Sequence, residues 1–440
     1  MANNKLKIGI VGAGVTGLSA AWDFVNAGHE VDIYEASAEV GGLAAGFRDE
    51  GWNWSLEKFY HHWFETDTDI KQILEEMGLW DNVIFPRPKT SYWIDGKIYR
   101  SEISPSALFL PVSPISTIRM GLWGVYLKLK NKGIDLESET AHHWMKSHMG
   151  EEAYNKFFLP LLIGKFGADY QDVNMAWMWA RVKARSLKLG MYQGGFQASL
   201  DAMAEKVKAK GAQIYLSAPI EEINFPDEKP TVKVDGTTHV YDRLLVTTSP
   251  KLLLRLANGL STTPYGQKVA DLESIGAVCV VFALKKSLLT DGTYWLNLPA
   301  TSADKSTNKF PFLALVEHTN WMDKSHYNDD VIVYCGDYVP ADHEYFSMSE
   351  EDLINRFASV LPTFNAEYRE DWIRKAWVFR APYAQPVPRI NHSHKIPSLK
   401  TPLPGVYWAS MSQVYPWDRG TNFAVELGRR VATMMMDDKA

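Results

Sequence analysis

The sequence predicts an α/β protein in which a domain built on a parallel sheet is interleaved with a second domain of antiparallel sheet plus helices. Three observations predict this class. The chain has 440 residues, of which 46% are hydrophobic, and so exceeds the size at which one core usually stops growing. Its first segment has the pattern of a βαβ unit, and neither an internal repeat nor a low-complexity linker divides the remainder.

The βαβ unit is predicted from hydrophobic periodicity. The apolar run Lys7–Val11 meets a glycine cluster, after which apolar residues recur at helical spacing up to Gly28. A second apolar run, residues 31–34, ends at an acid. This is the order strand, tight turn, helix and strand, which is typical of a parallel sheet.

Later segments extend both domains. Residues 70–79 and 195–210 have helical periodicity, residues 91–99 indicate a hairpin, and residues 104–189 are predicted to be mostly helical. Further strands are predicted at residues 213–216, 231–234, 242–248, 277–284, 312–317, 331–337 and 405–409, and further helices at residues 350–360 and 423–435. We therefore predict one domain from residues 1–80, 194–265 and 395–440, and the other from residues 81–193 and 266–394.

Composition excludes several classes of function. A formal net charge of -6 leaves no global basic field for nucleic acid. Cys279 and Cys335 form neither a disulfide framework nor a CxxC pair, which favours a cytoplasmic protein. The apolar stretch at residues 106–129 is interrupted by Pro111 and Arg119, so we expect no spanning helix, and a peripheral contact with the inner membrane surface stays open.

The glycine cluster is a dinucleotide-binding fingerprint of the Rossmann type. Gly12 permits the tight turn, Gly14 lets the backbone approach a pyrophosphate, and Gly17 lets helix and strand pack closely. Glu35 lies at the tip of the second strand, where its carboxylate can accept both ribose hydroxyls and would repel a 2′-phosphate. A glycine-rich turn without a nucleotide is disfavoured, because strand, helix and acid all agree.

Gly41 and Gly42 distinguish FAD from NAD, because they let the chain pass close under the phosphates and ribityl chain of the larger cofactor. At these residues the sequence resembles the flavin-containing amine oxidase superfamily. The branch is that of protoporphyrinogen oxidases and of carotenoid or phytoene desaturases, with UDP-galactopyranose mutases as more distant relatives. Three blocks carry the resemblance, at residues 8–47, 194–250 and 405–432.

The resemblance implies further contacts with FAD. Backbone near Ile220 would contact the adenine. Gly420, Thr421 and Asn422 would open a helix whose N-terminus faces the flavin and stabilises its anionic reduced form.

Two features depart from the superfamily. Ser410 and Met411 stand where its members usually have a glycine and an acid, so Ser410, Ser412 or Gln413 would have to replace the carboxylate that holds the ribityl hydroxyls. Amine oxidases also carry a lysine on the strand at residues 277–284, and this strand has none.

Candidate catalytic residues follow the fingerprint at the distance where relatives run their backbone past the flavin. They are Tyr60 and His61; of His61 and His62, at most one is expected to face the flavin. For His61 and His62, the alternative that both are ordinary core or surface histidines has about the same weight as a role at the flavin. Tyr415 and Trp417 are expected near flavin or substrate on family geometry alone. No metal site is expected, because no cluster of ligands has the required spacing.

Cationic residues are candidates for binding a carboxylate or diphosphate of the substrate. They are Lys165, Arg181 and Arg185 in the helical region, and Arg380 and Arg389 before the final segment. Tyr383 lies between these last two and is a further candidate for binding substrate. For each of them the simpler interpretation, an ordinary solvated or interdomain charge, is the stronger one.

The sequence as a whole predicts an FAD-dependent oxidoreductase. Its substrate would be a small molecule, bulky and largely apolar, that loses hydride from a C–N or C–C bond, with oxygen, a quinone or another acceptor taking the electrons. One alternative is a redox-neutral mutase acting on a nucleotide sugar. A second alternative is a flavin-binding scaffold without turnover.

Overall fold

A computed structural model describes residues 5–100 and 110–438, and it confirms the α/β class. The strands are β1 (Lys7–Val11), β2 (Glu30–Tyr34), β3 (Gly46–Phe47), β4 (Leu56–Glu57), β5 (Trp63–Phe64), β6 (Val83–Ile84), β7 (Thr90–Ile94), β8 (Lys97–Arg100), β9 (Leu189–Tyr192), β10 (Gln213–Tyr215), β11 (Glu222–Asn224), β12 (Thr231–Val234), β13 (Thr237–Val240), β14 (Arg243–Val246), β15 (Ser274–Leu284), β16 (Trp295–Asn297), β17 (Ala314–Glu317), β18 (Val331–Val339), β19 (Ile373–Pro386) and β20 (Val406–Trp408).

The α-helices lie between these strands. They are α1 (Val15–Asn26), α2 (Thr68–Glu76), α3 (Pro114–Leu129), α4 (Ala141–Met149), α5 (Glu151–Ala153), α6 (Leu159–Phe166), α7 (Met175–Ala184), α8 (Phe196–Ala209), α9 (Pro250–Leu256), α10 (Pro264–Ala270), α11 (Glu350–Ala358) and α12 (Thr421–Asp437).

A parallel sheet of five strands, in the order β10-β2-β1-β14-β20, carries the fingerprint. Ile10 of β1 pairs with Ile33 on one side and with Leu245 on the other, and all three side chains are fully buried. Such a sheet buries both faces, which explains why its strands are nearly continuous apolar runs. Helix α12 packs against α1, so the two ends of the chain meet at this sheet.

A second sheet has seven strands in the order β19-β15-β18-β17-β16-β7-β8, and all neighbours are antiparallel except β16 and β7. Its strands come from residues 90–100 and 274–386, on both sides of segments that belong to the parallel sheet. This arrangement matches the interleaving that the sequence indicates, whereas the exact domain boundaries stay a prediction.

Strand β19 is not among the strands that the sequence pattern predicts. Its charged residues and Pro382 obscure the pattern of a strand. The structure explains both features, because β19 is an edge strand, and an edge tolerates residues that lack a backbone donor.

The region at residues 110–189 is mostly helical, as predicted; residues 104–109 of that prediction lie outside the described part of the chain. Helices α4, α6 and α7 enclose a core that contains Trp144, Trp177 and Trp179. Helix α3 is different, because most of its large apolar side chains are exposed, whereas Leu127 is buried in this core. Within residues 5–100 and 110–438, no helix is both long enough and apolar enough to cross a membrane.

Candidate active site

The glycine turn between β1 and α1 has the geometry that a pyrophosphate requires. Gly12 has a φ of 106°, a conformation that favours glycine. A Cβ on Gly17 would lie 2.1 Å from the carbonyl oxygen of Gly12, so only glycine permits this helix to start so close to the strand. A Cβ on Gly14 would have no neighbour nearer than 3.9 Å, which leaves open space at the N-terminus of α1 for an anion.

The second glycine pair lies against this turn. The backbone N–H of Gly41 donates to the carbonyl oxygen of Ala13 at 2.9 Å, and Gly14 and Gly41 form an isolated parallel bridge. Gly42 is exposed and has a φ of 58°. The structure therefore brings the two glycine motifs together around one open space.

Glu35 follows β2, and hydrogen bonds from two backbone N–H groups hold its side chain in place. Its two carboxylate oxygens accept hydrogen bonds from the N–H groups of Ala13 and Ser37, each at 2.9 Å. Each oxygen keeps a further lone pair, so the carboxylate can still accept from the hydroxyls of a ribose. Ile220 is half-buried and packs against the neighbouring hydrophobic cluster at the same end of the sheet.

The N-terminus of α12 faces the same region. The side chains of its first residues make hydrogen bonds within the protein. Thr421 Oγ1 accepts a hydrogen bond from Trp63 Nε1 at 2.7 Å. Asn422 Oδ1 accepts from the backbone N–H groups of Asp69 and Ile70, at 2.9 and 3.0 Å, and so caps helix α2. What Gly420, Thr421 and Asn422 offer a flavin is therefore their backbone N–H groups.

A cavity opens between the seven-stranded sheet and the segments that follow the glycine motifs. The glycine motif contributes Leu43, the segment before α12 contributes Arg419, and β15 and β18 contribute the far wall. The lining is mostly apolar or aromatic and consists of Leu43, Phe59, Tyr60, His61, Ala277, Val278, Cys279, Gly336, Asp337, Tyr338, Ala381, Ala384 and Arg419. No lysine among the described residues lines this cavity. This agrees with the absence of a lysine from β15.

Tyr60 and His61 both line this cavity, and their position near a flavin stays a prediction. Burial raises the pKa of the Tyr60 hydroxyl well above its usual value, so it stays protonated. Burial, with a smaller contribution from the charge of Arg419, lowers the pKa of His61 to about 4. His61 is therefore neutral at physiological pH, and its Nδ1 is buried without a hydrogen-bond partner among the described groups.

Other predicted residues lie elsewhere. Tyr415 lines a second, smaller cavity, and its hydroxyl donates to Glu137 Oε2 at 2.9 Å. Trp417 lines the same cavity and stacks on Phe423, with ring centroids 5.2 Å apart. The two cavities share Arg419.

The structure does not bring the side chain of Arg380 to the larger cavity. Arg380 lies on the opposite face of the sheet, where its guanidinium donates to the carbonyl oxygens of Tyr345 and Met348, both at 2.8 Å. The Tyr383 hydroxyl shares hydrogen bonds with the hydroxyls of Ser410 and Ser412 at 2.8 and 2.7 Å. These two serines are, with Gln413, the candidate replacements for the missing carboxylate, and they form one polar group with Tyr383, while Gln413 Oε1 accepts from the backbone N–H of Ser410 at 2.9 Å.

Arg419 and Asp418 are site residues that the sequence reasoning missed. Both belong to the motif that opens α12, and this position was the available signal. Asp418 Oδ2 accepts from Arg181 Nη1 at 3.0 Å and lies 3.7 Å from the Nζ of Lys165, which is 4% exposed. Lys165 and Arg181 are therefore part of a buried charge cluster between the helical region and the segment before α12, which is an interdomain charge of the kind that the sequence analysis favours, and not a solvated one.

A dinucleotide cradle that opens onto a largely apolar cavity is the arrangement of a flavin-dependent oxidoreductase. Comparison with known families agrees with this class. The sequence profile of the family described as flavin-containing amine oxidoreductase matches residues 15–436, so the chain belongs to that family. Its cofactor is FAD, and the open space at Gly14, the acid at Glu35 and the N-terminus of α12 fit that molecule.

Individual relatives are distant. The chain is 23% identical over 265 residues to a probable zeta-carotene desaturase of Synechococcus elongatus, covering 52% of this chain and 54% of that protein. It is 24% identical over 181 residues to the mitochondrial protoporphyrinogen oxidase of Nicotiana tabacum, covering 38% of this chain and 34% of that protein. The chain thus spans about half or less of these curated relatives.

Solved structures show that the fold is shared across the family. The structure of reduced UDP-galactopyranose mutase superposes with a TM-score of 0.75 at 16% identity and covers 99% of this chain and 96% of that one. At this identity the likeness concerns the fold alone.

Proposed function

We propose that this protein is an FAD-dependent oxidoreductase that removes hydride from a C–N or C–C bond of a bulky, largely apolar substrate. The cavity carries this proposal, because its wall beside the cofactor cradle is built from apolar and aromatic groups such as Leu43, Phe59 and Ala277. The similarity to a zeta-carotene desaturase and to a protoporphyrinogen oxidase supports the same substrate class.

The chain's own residues position the substrate and exclude water. Gly14, Glu35 and the N-terminus of α12 would hold FAD, which would supply the hydride acceptor, with oxygen, a quinone or another acceptor as the final oxidant. Tyr60 packs edge-on against Trp295, with centroids 4.8 Å apart, and this contact fixes its ring at the cavity wall. Neutral His61 can accept or donate one hydrogen bond there without adding a charge.

A redox-neutral mutase acting on a nucleotide sugar is the second candidate. One observation favours it: the basic side chain of Arg419 lines the cavity, and a diphosphate requires such groups. The shared fold of UDP-galactopyranose mutase is compatible with it. Against it, the segment that opens α12 departs from the mutase motif.

Anaerobic spectroscopy separates these candidates. The purified protein with bound FAD is mixed without oxygen with protoporphyrinogen, with zeta-carotene, or with UDP-galactopyranose after dithionite reduction. Bleaching of the flavin by either of the first two, with a product two hydrogens lighter, supports the proposal. Isomerisation of the nucleotide sugar without net redox change overturns it in favour of the mutase. A bound flavin that no substrate bleaches and that converts no sugar favours a scaffold.

We also propose that α3 contacts an anionic membrane surface. Five of its large apolar side chains are 58 to 78% exposed: Ile115, Ile118, Leu122, Val125 and Leu129. Their spacing places them along one stripe of the helix. Residues 103–134 contain four basic residues and no acidic one, so this part of the sequence is complementary to anionic lipid headgroups.

Vesicle sedimentation tests this contact. We expect the protein to sediment with phosphatidylglycerol vesicles, and Leu122→Glu to abolish this. Val240→Glu, at an exposed apolar residue far from α3 in sequence, is the control and should have no effect. Wild-type protein that stays in the supernatant, or a Leu122→Glu change that only dissociates a dimer, would contradict the proposal.

A further inference from the structure

Arg419 brings a positive charge to the larger cavity, which it lines. Its side chain is half-buried, and two neutral partners hold the guanidinium: Nε donates to Gln385 Oε1 at 2.9 Å, and Nη2 donates to the hydroxyl of Tyr338. A guanidinium has further N–H donors on Nη1 and Nη2, and these have no partner among the described groups. Arg419 is therefore held in a fixed position while part of its hydrogen-bonding capacity stays unused.

The carboxylate that precedes Arg419 in the chain is paired with other cations. Asp418 Oδ2 accepts from Arg181 Nη1 at 3.0 Å and lies 3.7 Å from Lys165 Nζ. Its Oδ1 accepts from Gln385 Nε2 at 3.1 Å, so a neutral amide lies between this acid and Arg419. Arg419 makes no ion pair with a described residue, and an unpaired cation inside a protein is costly unless a ligand compensates it.

Charges elsewhere in the wall of this cavity cancel. Asp337 is the acid among the described residues that line it, and Asp337 Oδ1 is paired with the Nζ of buried Lys305 at 2.8 Å. Burial holds the pKa of His61 at about 4, so this side chain is neutral at physiological pH. The described lining thus presents one uncompensated positive charge beside apolar groups such as Phe59 and Ala277.

We propose that Arg419 binds a carboxylate of the substrate. This inference rests on the proposed function and deepens it: the substrate is amphiphilic, with an apolar body against the aromatic wall and one carboxylate at Arg419. A carboxylate fits because it carries a single negative charge and accepts the paired N–H donors of a guanidinium. A diphosphate carries a higher charge, and the described lining offers it no second cation.

The contact gives Arg419 a role in specificity. Apolar groups attract an apolar substrate without fixing its direction, because the hydrophobic effect is not directional. An ion pair at one end of the cavity fixes one end of the molecule and so determines which of its bonds is presented for hydride removal.

Titration calorimetry of the FAD-loaded protein with a matched pair of probes tests the proposal. Phenylacetate carries a carboxylate beside an aromatic ring, and phenylacetamide is its neutral counterpart of nearly the same shape. We expect phenylacetate to bind about tenfold to a hundredfold more tightly than phenylacetamide, since it adds a charge-assisted contact. This comparison needs only the wild-type protein.

Variants of Arg419 assign the difference to this residue. Arg419→Gln should weaken the binding of phenylacetate about tenfold to a hundredfold and leave that of phenylacetamide unchanged, which also reports an intact cavity. Arg419→Lys should keep part of the preference, because the charge remains and the paired donors are lost. Arg369→Gln, at an exposed arginine near Asp371, is the control and should bind both probes as the wild type does.

Three results would overturn the inference: binding of phenylacetate no tighter than that of phenylacetamide, a preference that survives in Arg419→Gln, or Arg419-dependent binding of UDP that is tighter than that of phenylacetate. The last result would assign Arg419 to a diphosphate. Failure of the proposed function is a different observation, because it would appear as bound flavin that no substrate bleaches, whichever probe binds.

Discussion

Alanine at two glycines of the same turn should separate cofactor binding from folding. A Cβ on Gly14 meets no described atom nearer than 3.9 Å, and the φ of −74° at this residue suits any amino acid. A Cβ on Gly17 would lie 2.1 Å from the Gly12 carbonyl oxygen, whereas real contacts stay beyond 3.0 Å. Helix α1 would therefore have to move by about 0.9 Å relative to β1.

The two variants should consequently differ in kind. In Gly14→Ala the methyl group occupies the space of the pyrophosphate, and an overlap costing about 1–3 kcal/mol weakens FAD binding roughly tenfold to a hundredfold. The stability of its cofactor-free form should change by less than about 1 kcal/mol. Gly17→Ala should lose FAD and also destabilise the cofactor-free form by about 1–3 kcal/mol.

Flavin absorbance after gel filtration, FAD titration by fluorescence quenching, and thermal unfolding of the cofactor-free proteins measure these effects. If Gly14→Ala binds FAD as tightly as the wild type, the open space at Gly14 is not the pyrophosphate site. If Gly17→Ala unfolds at the wild-type temperature, the close approach of α1 to Gly12 does not determine the local packing.

Three further predictions concern buried residues. Asp418→Asn should lower the unfolding free energy by about 3 kcal/mol, because it leaves the buried Lys165 without its carboxylate; thermal unfolding unchanged from the wild type would contradict this. Gly336→Ala places a Cβ 2.6 Å from the ring of Tyr60, so the ring must move. This variant should shift the flavin absorbance and slow the bleaching of the flavin by substrate. An unaltered spectrum and rate would count against a position of Tyr60 near the flavin. Burial raises the pKa of Glu57 from its ordinary value of 4.5 to about 7. Between these two pH values the folded state holds a proton that the unfolded state has lost, so the stability of the protein falls as the pH rises from about 4.5 to about 7. Glu57→Gln should therefore be more stable than the wild type by about 3 kcal/mol above pH 7 but not at pH 4, as chemical denaturation at both pH values will test.

The cofactor-binding elements can be predicted from the sequence because the residues that indicate them lie close together along the chain. The fingerprint from Gly12 to Gly17, the acid at Glu35 and the glycine pair at Gly41 lie within one βαβ unit, where spacing along the chain corresponds to spacing in space. The sequence pattern therefore predicts the fold of this segment, and the structure brings its two glycine motifs together at one turn.

The substrate half is less predictable because its contacts are distant in sequence. Arg181 and Asp418 form an ion pair although 237 residues separate them. Arg380 was a candidate for binding substrate, but which face of an edge strand a residue occupies depends on a register that the sequence does not reveal, and the structure turns it away from the cavity. Charge alone did not distinguish Lys165, which is buried beside Asp418, from Arg389, which is paired with three surface acids.

The contact of α12 with the amino-terminal elements has a consequence for biogenesis. Trp63 and the first turn of α2 depend on Thr421 and Asn422 for their hydrogen bonds. A ribosome delivers these partners only after more than four hundred residues have been synthesised, so the hydrogen bonds that hold Trp63 and the first turn of α2 can form only late in synthesis.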